Sequence, residues 1–143
     1  DGLHITQPNS TSMQNAMRLA LKDAGINAGE IGYISAHGTA TDLGDIAESQ
    51  ATQVVFGNQT PISSMKSYTG HTLGACGAIE AYASLRMMNE NWFHPTVNLV
   101  NIDPKCADLD YIYSDVRTLD CGYIMSNNFA FGGINTSLIF KRI

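Results

Sequence analysis

The sequence predicts an α/β fold, because helical and extended segments alternate along it and two of the strands end in small-residue turns. Apolar residues recur at helical spacing in three segments, with short runs of strand-forming residues between them. The last part of the chain reads as a pair of strands. In folds of this class, the loops that follow strands are the usual location of chemistry.

The first two helices and strands are predicted from local signals. Residues 10–12 supply N-cap candidates, an apolar stripe follows them, and Gly25 supplies a stop. A strand at 33–36 then runs into a small-residue turn that begins at His37.

A second helix, from about Leu43 to Val55, carries one apolar face and ends at Gly57. The strand that follows it, 62–65, runs into a second turn of small residues.

A third, long helix is predicted from Thr72 to about Asn91, and it is apolar on most sides, as is typical of a helix buried in a larger body. Gly70, Gly74 and Gly77 lie at i, i+4 and i+7, so one face of its first turns carries no side chains. Glycine weakens a helix interior by about 1 kcal/mol relative to alanine. Three glycines in register therefore predict the close approach of another backbone.

Two C-terminal strands, 123–129 and 136–140, surround a glycine-rich turn. For Phe131, next to this turn, we expect a core position in a tight hairpin. A glycine-rich backbone can also direct N–H groups at an oxyanion, and a phenylalanine on a mobile loop can gate a pocket. Neither of these last two roles follows from composition alone.

Composition limits the class of protein. The chain has 143 residues, of which 44% are hydrophobic and 15% charged, and this fits one domain with a sizeable core. The formal net charge of −5 argues against a general phosphate-binding surface. No apolar run approaches the ~20 residues of a membrane-spanning helix. Asp1 stands first without a leader, so we expect a removed upstream segment or a piece of a longer chain.

The cysteines Cys76, Cys106 and Cys121 have no paired or metal-binding spacing. This favours reduced thiols in a cytoplasmic protein, mostly buried as small apolar side chains.

Two loops of the same design each place a histidine after a strand. His37 is followed by Thr39 and Thr41, and His71 follows Lys66. The carboxyl ends of adjacent parallel strands share one crevice, so we expect both imidazoles and the ammonium in one site. An ammonium opposes a metal ion and disfavours imidazolium, which keeps both rings neutral near pH 7. Neutral imidazoles donate N–H groups to an oxygen that gains charge, which predicts carbonyl chemistry through an enolate or tetrahedral anion.

Four runs carry a family resemblance: HGTATDLGD (37–45), KSYTGHTLGACGAIEA (66–81), HPTVNL (94–99) and NNFAFGGIN (127–135). In this order they resemble the β-ketoacyl-ACP synthases, the condensing enzymes of fatty-acid, polyketide and polyene synthesis. The resemblance implies the C-terminal half of a thiolase-like α/β fold, with a mixed sheet flanked by helices and a strand-rich C-terminal end. It also implies that residues 1–143 form a single domain.

The resemblance implies an acyltransferase that performs a decarboxylative Claisen condensation, in which the carbanion from malonyl-ACP attacks an acyl group held on a cysteine. His37 and His71 match the histidines that bind the malonyl thioester oxygen. Lys66 matches the family lysine, and its acidic partners match Glu48 and Glu80. A buried ammonium needs such partners.

Thr39 and Thr41 match the threonines that bind the phosphopantetheine arm of the acyl carrier protein, which is carried substrate; no other cofactor is implied. Phe129 matches the gating phenylalanine, whose backbone N–H contributes to the hole for the acyl-enzyme oxygen. Ala130 stands where the family usually has glycine, which predicts a stiffer gate loop or one shaped for a different acyl chain. Cys76 stands where a small Ala or Ser is common.

The family's nucleophilic cysteine lies in the N-terminal half, which this sequence does not resemble. We therefore expect the chain to be inactive alone and to act with that half, with an acyl carrier protein, and as a homodimer or heterodimer. Nucleic acid and a membrane span are not expected.

Two alternatives stay open. One is a non-catalytic partner subunit like a chain-length factor, although the retention of His37, His71 and Lys66 argues against it. The other is a hydrolase or acyltransferase that uses Cys76 with a histidine, although apolar burial makes a thiol a poorer nucleophile.

Overall fold

Helices and strands alternate along the first two thirds of the chain and give way to a long hairpin. A computed structural model describes residues 7–143, so Asp1 lies outside the described residues. The elements are α1 (Ser10–Ala24), β1 (Ile31–Ser35), α2 (Asp42–Phe56), β2 (Ile62–Ser63), α3 (Lys66–Thr69), α4 (Cys76–Glu90), β3 (Trp92–Phe93), β4 (Arg117–Thr118), β5 (Tyr123–Ala130) and β6 (Ile134–Lys141).

The central sheet is mixed and has the strand order β2–β1–β5–β6. β1 runs parallel to both β2 and β5, whereas β5 and β6 form an antiparallel hairpin. A separate antiparallel pair joins β3 to β4. The predicted combination of parallel strands with a strand-rich C-terminal end is therefore confirmed.

Each face of the sheet carries its own apolar cluster, because successive side chains of a strand point to opposite faces. On β5, Met125 and Phe129 pack with Met13 and Met17 of α1. Ile124 points the other way and packs in a cluster that includes Met87 of α4. The sheet is thus covered by α1 and α2 on one side and by α4 on the other, and its β1 and β2 ends stay open for the loops that follow them.

The boundaries of α1 are set by one cap that the sequence analysis missed and one that it identified. Asn9 is the N-cap, and its side chain accepts a hydrogen bond from Ser12 N–H at 3.0 Å, so residues 10–12 form the first turn. Gly25 ends the helix in the left-handed conformation, with φ 68°, as predicted.

The third helix, predicted from Thr72 to about Asn91, is confirmed over Cys76–Glu90, but it begins four residues later than predicted. The chain forms the short α3, leaves it at Gly70 with φ 68°, and passes Leu73 with φ 52° before α4 begins. Within residues 7–143, no other backbone packs against the three glycines, so the predicted close approach is not made by this part of the chain. A Cβ added at Gly70 or Gly74 meets nothing within 4 Å, and one at Gly77 meets the Asn128 side chain at 3.6 Å.

The C-terminal hairpin is longer than predicted, because β5 and β6 pair without interruption from Tyr123 and Lys141 to Ala130 and Ile134. The core position expected for Phe131 is wrong. Its side chain is 64% exposed at the tip of the hairpin, where Gly132 with φ 74° turns the chain.

The three cysteines are unpaired, with Cys76 and Cys121 buried and Cys106 partly exposed. Within residues 7–143, no helix is both long and apolar enough to cross a bilayer.

Candidate active site

The two histidine loops meet at the open end of the sheet, where β1 and β2 finish. They border a cavity of about 700 Å³ whose walls include His37, His71, Thr39, Thr41 and Phe129. The prediction that the two loops share one crevice is therefore confirmed.

The two imidazole rings stand at right angles, with 5.5 Å between their centroids. Lys66 Nζ lies 3.3 Å from His37 Nδ1, and because an ammonium only donates, this ring nitrogen accepts. His71 Nδ1 accepts the backbone N–H of Leu73 at 3.0 Å. A neutral ring whose Nδ1 accepts a hydrogen bond carries its proton on Nε2. In this tautomer each ring has an Nε2–H donor.

His37 stays neutral at physiological pH. Burial lowers its pKa to about 4, with smaller contributions from the nearby charges of Lys66 and His71. The expected effect of the ammonium is therefore present but secondary to desolvation. For His71, neutrality remains a prediction.

Lys66 is a buried cation whose counterion is Glu80. Its Nζ forms an ion pair with Glu80 Oε1, and the two side chains are 5% and 2% exposed. The other carboxylate oxygen of Glu80, Oε2, accepts from Asn128 Nδ2 at 3.2 Å. The predicted pairing of Lys66 with Glu80 is confirmed.

Glu48 does not bond to Lys66, contrary to expectation. Its two oxygens accept the backbone N–H groups of His37 and Gly38, each at 2.8 Å, so the turn after β1 occupies the whole carboxylate. Burial raises the pKa of Glu48 to about 7, although both backbone N–H groups and the charge of Lys66 oppose the rise. Glu48 thus fixes the backbone that presents His37.

The two predicted pantetheine-binding threonines form one hydroxyl pair at the start of α2. Thr39 Oγ1 and Thr41 Oγ1 lie 3.0 Å apart, and Thr41 caps the helix by accepting from Gly44 N–H at 3.2 Å. Gly44 leaves room for them, because an added Cβ would meet Thr41 Oγ1 at 2.4 Å. Thr41 is exposed and Thr39 is half-buried, and both line the cavity.

Phe129 is buried on β5, and its ring centroid lies 6.2 Å from that of His37. Ala130 follows with φ −88° and ψ 165°, an extended conformation open to any residue. The substitution of alanine for the family's usual glycine therefore causes no strain in this conformation, and the stiffer gate stays a prediction.

Cys76 lies closer to the histidines than the sequence indicated. It is the first residue of α4 and 2% exposed, and its Sγ lies 3.4 Å from His71 Nδ1 and accepts from Thr72 Oγ1 at 3.3 Å. Neither this contact nor the contact of Asn128 with Glu80 is predicted from the sequence. The spacing of five residues between His71 and Cys76 would place them together only once the break before α4 is known.

Comparison with known sequences identifies the family. The sequence profile described as the C-terminal domain of β-ketoacyl synthase matches residues 1–100. The chain belongs to the β-ketoacyl synthase family. The chain is 42% identical, over 147 residues, to 3-oxoacyl-[acyl-carrier-protein] synthase 2 of Synechocystis sp., and the match covers 99% of the chain and 35% of that protein.

Solved structures of ketosynthases share the fold of this chain. A β-ketoacyl synthase from Burkholderia phymatum STM815 superposes with a TM-score of 0.99 at 61% identity, covering 100% of this chain and 35% of that one. The ishigamide ketosynthase/chain length factor superposes with a TM-score of 0.95 at 36% identity, covering 100% of this chain and 36% of that one. The chain thus spans about a third of the length of its relatives, and the thiolase-like fold is confirmed.

Proposed function

We propose that this chain supplies the decarboxylation site of a β-ketoacyl-ACP synthase. The observation that carries the proposal is the pair of perpendicular imidazoles, each with Nδ1 already accepting a hydrogen bond. Such rings present two Nε2–H donors to one cavity. This arrangement suits an oxygen that gains negative charge during the reaction.

In the proposed reaction, His37 and His71 donate to the thioester oxygen of malonyl-ACP. The bond between the malonyl Cα and its carboxylate breaks, CO₂ leaves, and the electron pair forms an enolate whose oxygen the two N–H groups stabilise. The enolate carbon then attacks the acyl thioester on a cysteine of the other half of the synthase. A carbon–carbon bond forms, the carbon–sulfur bond breaks, and the cysteine thiolate is released.

The neighbouring residues have supporting roles in this proposal. The Lys66 ammonium donates to His37 Nδ1, which fixes the tautomer that donates from Nε2. Thr39 and Thr41 bind the phosphopantetheine arm of the acyl carrier protein, which is carried substrate. Phe129 gates the cavity, in keeping with its place beside the His37 ring.

The proposed partners are an N-terminal half that holds the nucleophile, an acyl carrier protein, and a second subunit in a dimer. The chain's length relative to its relatives supports the first. The name of the Synechocystis relative includes the acyl carrier protein, and the ishigamide structure combines a ketosynthase with a chain length factor. The chain alone is then inactive in condensation.

The test is His71→Ala in the complete enzyme. We expect malonyl decarboxylation to fall by at least about a hundredfold, as for the loss of an oxyanion donor, while acylation of the nucleophilic cysteine persists. Release of CO₂ measures the first step, and intact mass measures the second. His94→Gln is the matched control, since His94 is a buried histidine outside the cavity wall.

Loss of acylation with decarboxylation intact would contradict the role assigned to His71. If the unmodified complete enzyme released no CO₂, the chain would instead belong to a non-catalytic partner subunit.

A further inference from the structure

Asn128 joins the buried ion pair to the strand that carries Phe129. Its amide Nδ2 donates to Glu80 Oε2 at 3.2 Å, while Glu80 Oε1 pairs with Lys66. Lys66 in turn donates to His37 Nδ1. A continuous chain of polar contacts therefore leads from β5 to the imidazole.

The geometry around Asn128 shows why its amide reaches this position. Neighbouring Asn127 points to the opposite face of the sheet, where its amide contacts Met17 of α1. Asn128 consequently faces α4, where Gly77 lies opposite it. A Cβ added at Gly77 would lie 3.6 Å from Asn128 Nδ2. The absence of a side chain at Gly77 leaves room for the amide beside Glu80.

We propose that Asn128 is a positioning residue that orients the Glu80 carboxylate and, through Lys66, the donor state of His37. The inference rests on the function proposed above. With one oxygen bound to Lys66 and the other to Asn128, the carboxylate cannot rotate, and the ammonium is directed at Nδ1. Because Asn128 precedes Phe129 on β5, the same bond holds the gate residue in register with the histidine.

Polar groups from three elements face Glu80. α3 contributes Lys66, β1 contributes the Tyr33 hydroxyl, whose pKa is raised by burial and to a lesser degree by the charge of Glu80, and β5 contributes Asn128. The residues of β3, Trp92 and Phe93, carry no ionisable side chain. A carboxyl introduced at position 128 would therefore act on Glu80 and Lys66 directly.

The test is Asn128→Asp, an isosteric change, in the complete enzyme. Two carboxyl groups in contact share a proton at low pH but repel each other when both are ionised. At about pH 8, we expect kcat for decarboxylation to fall about tenfold, since a hydrogen bond to a charged group is lost, with KM for malonyl-ACP unchanged. At a lower pH the pair of carboxyl groups takes up a proton and the new carboxyl donates again, so the loss shrinks.

Asn128→Ala separates this effect from a merely structural one. It removes the donor without supplying a titrating group, so its loss of kcat persists at both pH values. Asn58→Asp, which adds the same charge at an exposed position, keeps the unmodified pH profile. If Asn128→Asp does not fold, the kcat of Asn128→Ala at constant KM carries the test.

A loss in Asn128→Asp that does not change with pH, or decarboxylation unchanged in Asn128→Ala, would overturn the inference. The His71→Ala experiment distinguishes this outcome from failure of the proposed function. If His71→Ala abolishes decarboxylation and the Asn128 variants do not alter it, only the role of Asn128 is wrong.

Discussion

The buried pair of Lys66 and Glu80 offers a test that separates stability from chemistry. The two side chains are 5% and 2% exposed, so removing either partner leaves an uncompensated charge away from water. For such sites, the cost in free energy of unfolding is about 3–5 kcal/mol. We expect a cost in this range for Lys66→Met and for Glu80→Gln.

The double variant is the informative one. If the two sites were independent, the costs would add to about 6–10 kcal/mol. Because the double variant buries no charge, we expect it to cost no more than either single variant, which corresponds to a coupling of at least about 3 kcal/mol. Equilibrium urea unfolding of the complete enzyme measures the stability of the unmodified protein, the two single variants and the double variant. Costs that add to within about 0.5 kcal/mol would refute the reasoning.

Activity should not recover with stability. The double variant lacks the ammonium that donates to His37 Nδ1, so nothing fixes the ring with its proton on Nε2. We expect decarboxylation to remain as low as in Lys66→Met. Full recovery of CO₂ release in the double variant would show that Lys66 matters only to the fold.

Three further changes test other parts of the site. Burial raises the pKa of Glu48 from 4.5 to about 7, so the folded state holds its proton more tightly than the unfolded state does. Stability should therefore fall by roughly 3 kcal/mol as the pH rises through that window. Glu48→Gln should flatten this dependence of the urea midpoint on pH, and an unchanged slope would contradict the role of Glu48. Cys76→Ala should leave acylation by a thiol-directed inhibitor intact, since the nucleophile is expected in the other half, whereas loss of the adduct by intact mass would favour the hydrolase alternative. Ala40 adopts φ 57°, so Ala40→Gly should relieve about 1 kcal/mol of strain and raise the melting temperature. The control Ala20→Gly lies within α1, where it should reduce stability by about 1 kcal/mol and lower the melting temperature.

The meeting of His37 and His71 could be predicted from the sequence, because each follows a strand and parallel strands end at one edge. The late start of α4 could not, because it depends on the positive φ angle at Leu73, which apolar periodicity does not reveal. Hydrophobicity likewise predicted a buried Phe131, whereas the turn at Gly132 carries it outward.

The carboxylates of Glu48 and Glu80 show a second limit of prediction from sequence. The family resemblance predicts both Glu48 and Glu80 as partners of Lys66, but only tertiary geometry determines which carboxylate the ammonium reaches. The oxygens of Glu48 accept backbone N–H groups, whereas those of Glu80 pair with Lys66 and accept from Asn128. The role of Asn128 requires knowing that β5 presents it to α4, which depends on the register of a strand distant in the chain.

The strand order also determines when the site can form as the chain folds. β1 has β2 on one side, a strand of only two residues, and β5 on the other, which follows after α2, β2, α3 and α4. Contacts between segments so far apart in sequence form slowly, since a long loop must close before they yield any stabilisation. During synthesis, the histidine loops therefore emerge well before the strand that aligns them. Until β5 inserts, these loops belong to an incomplete sheet, and chaperones or a partner chain have time to engage it.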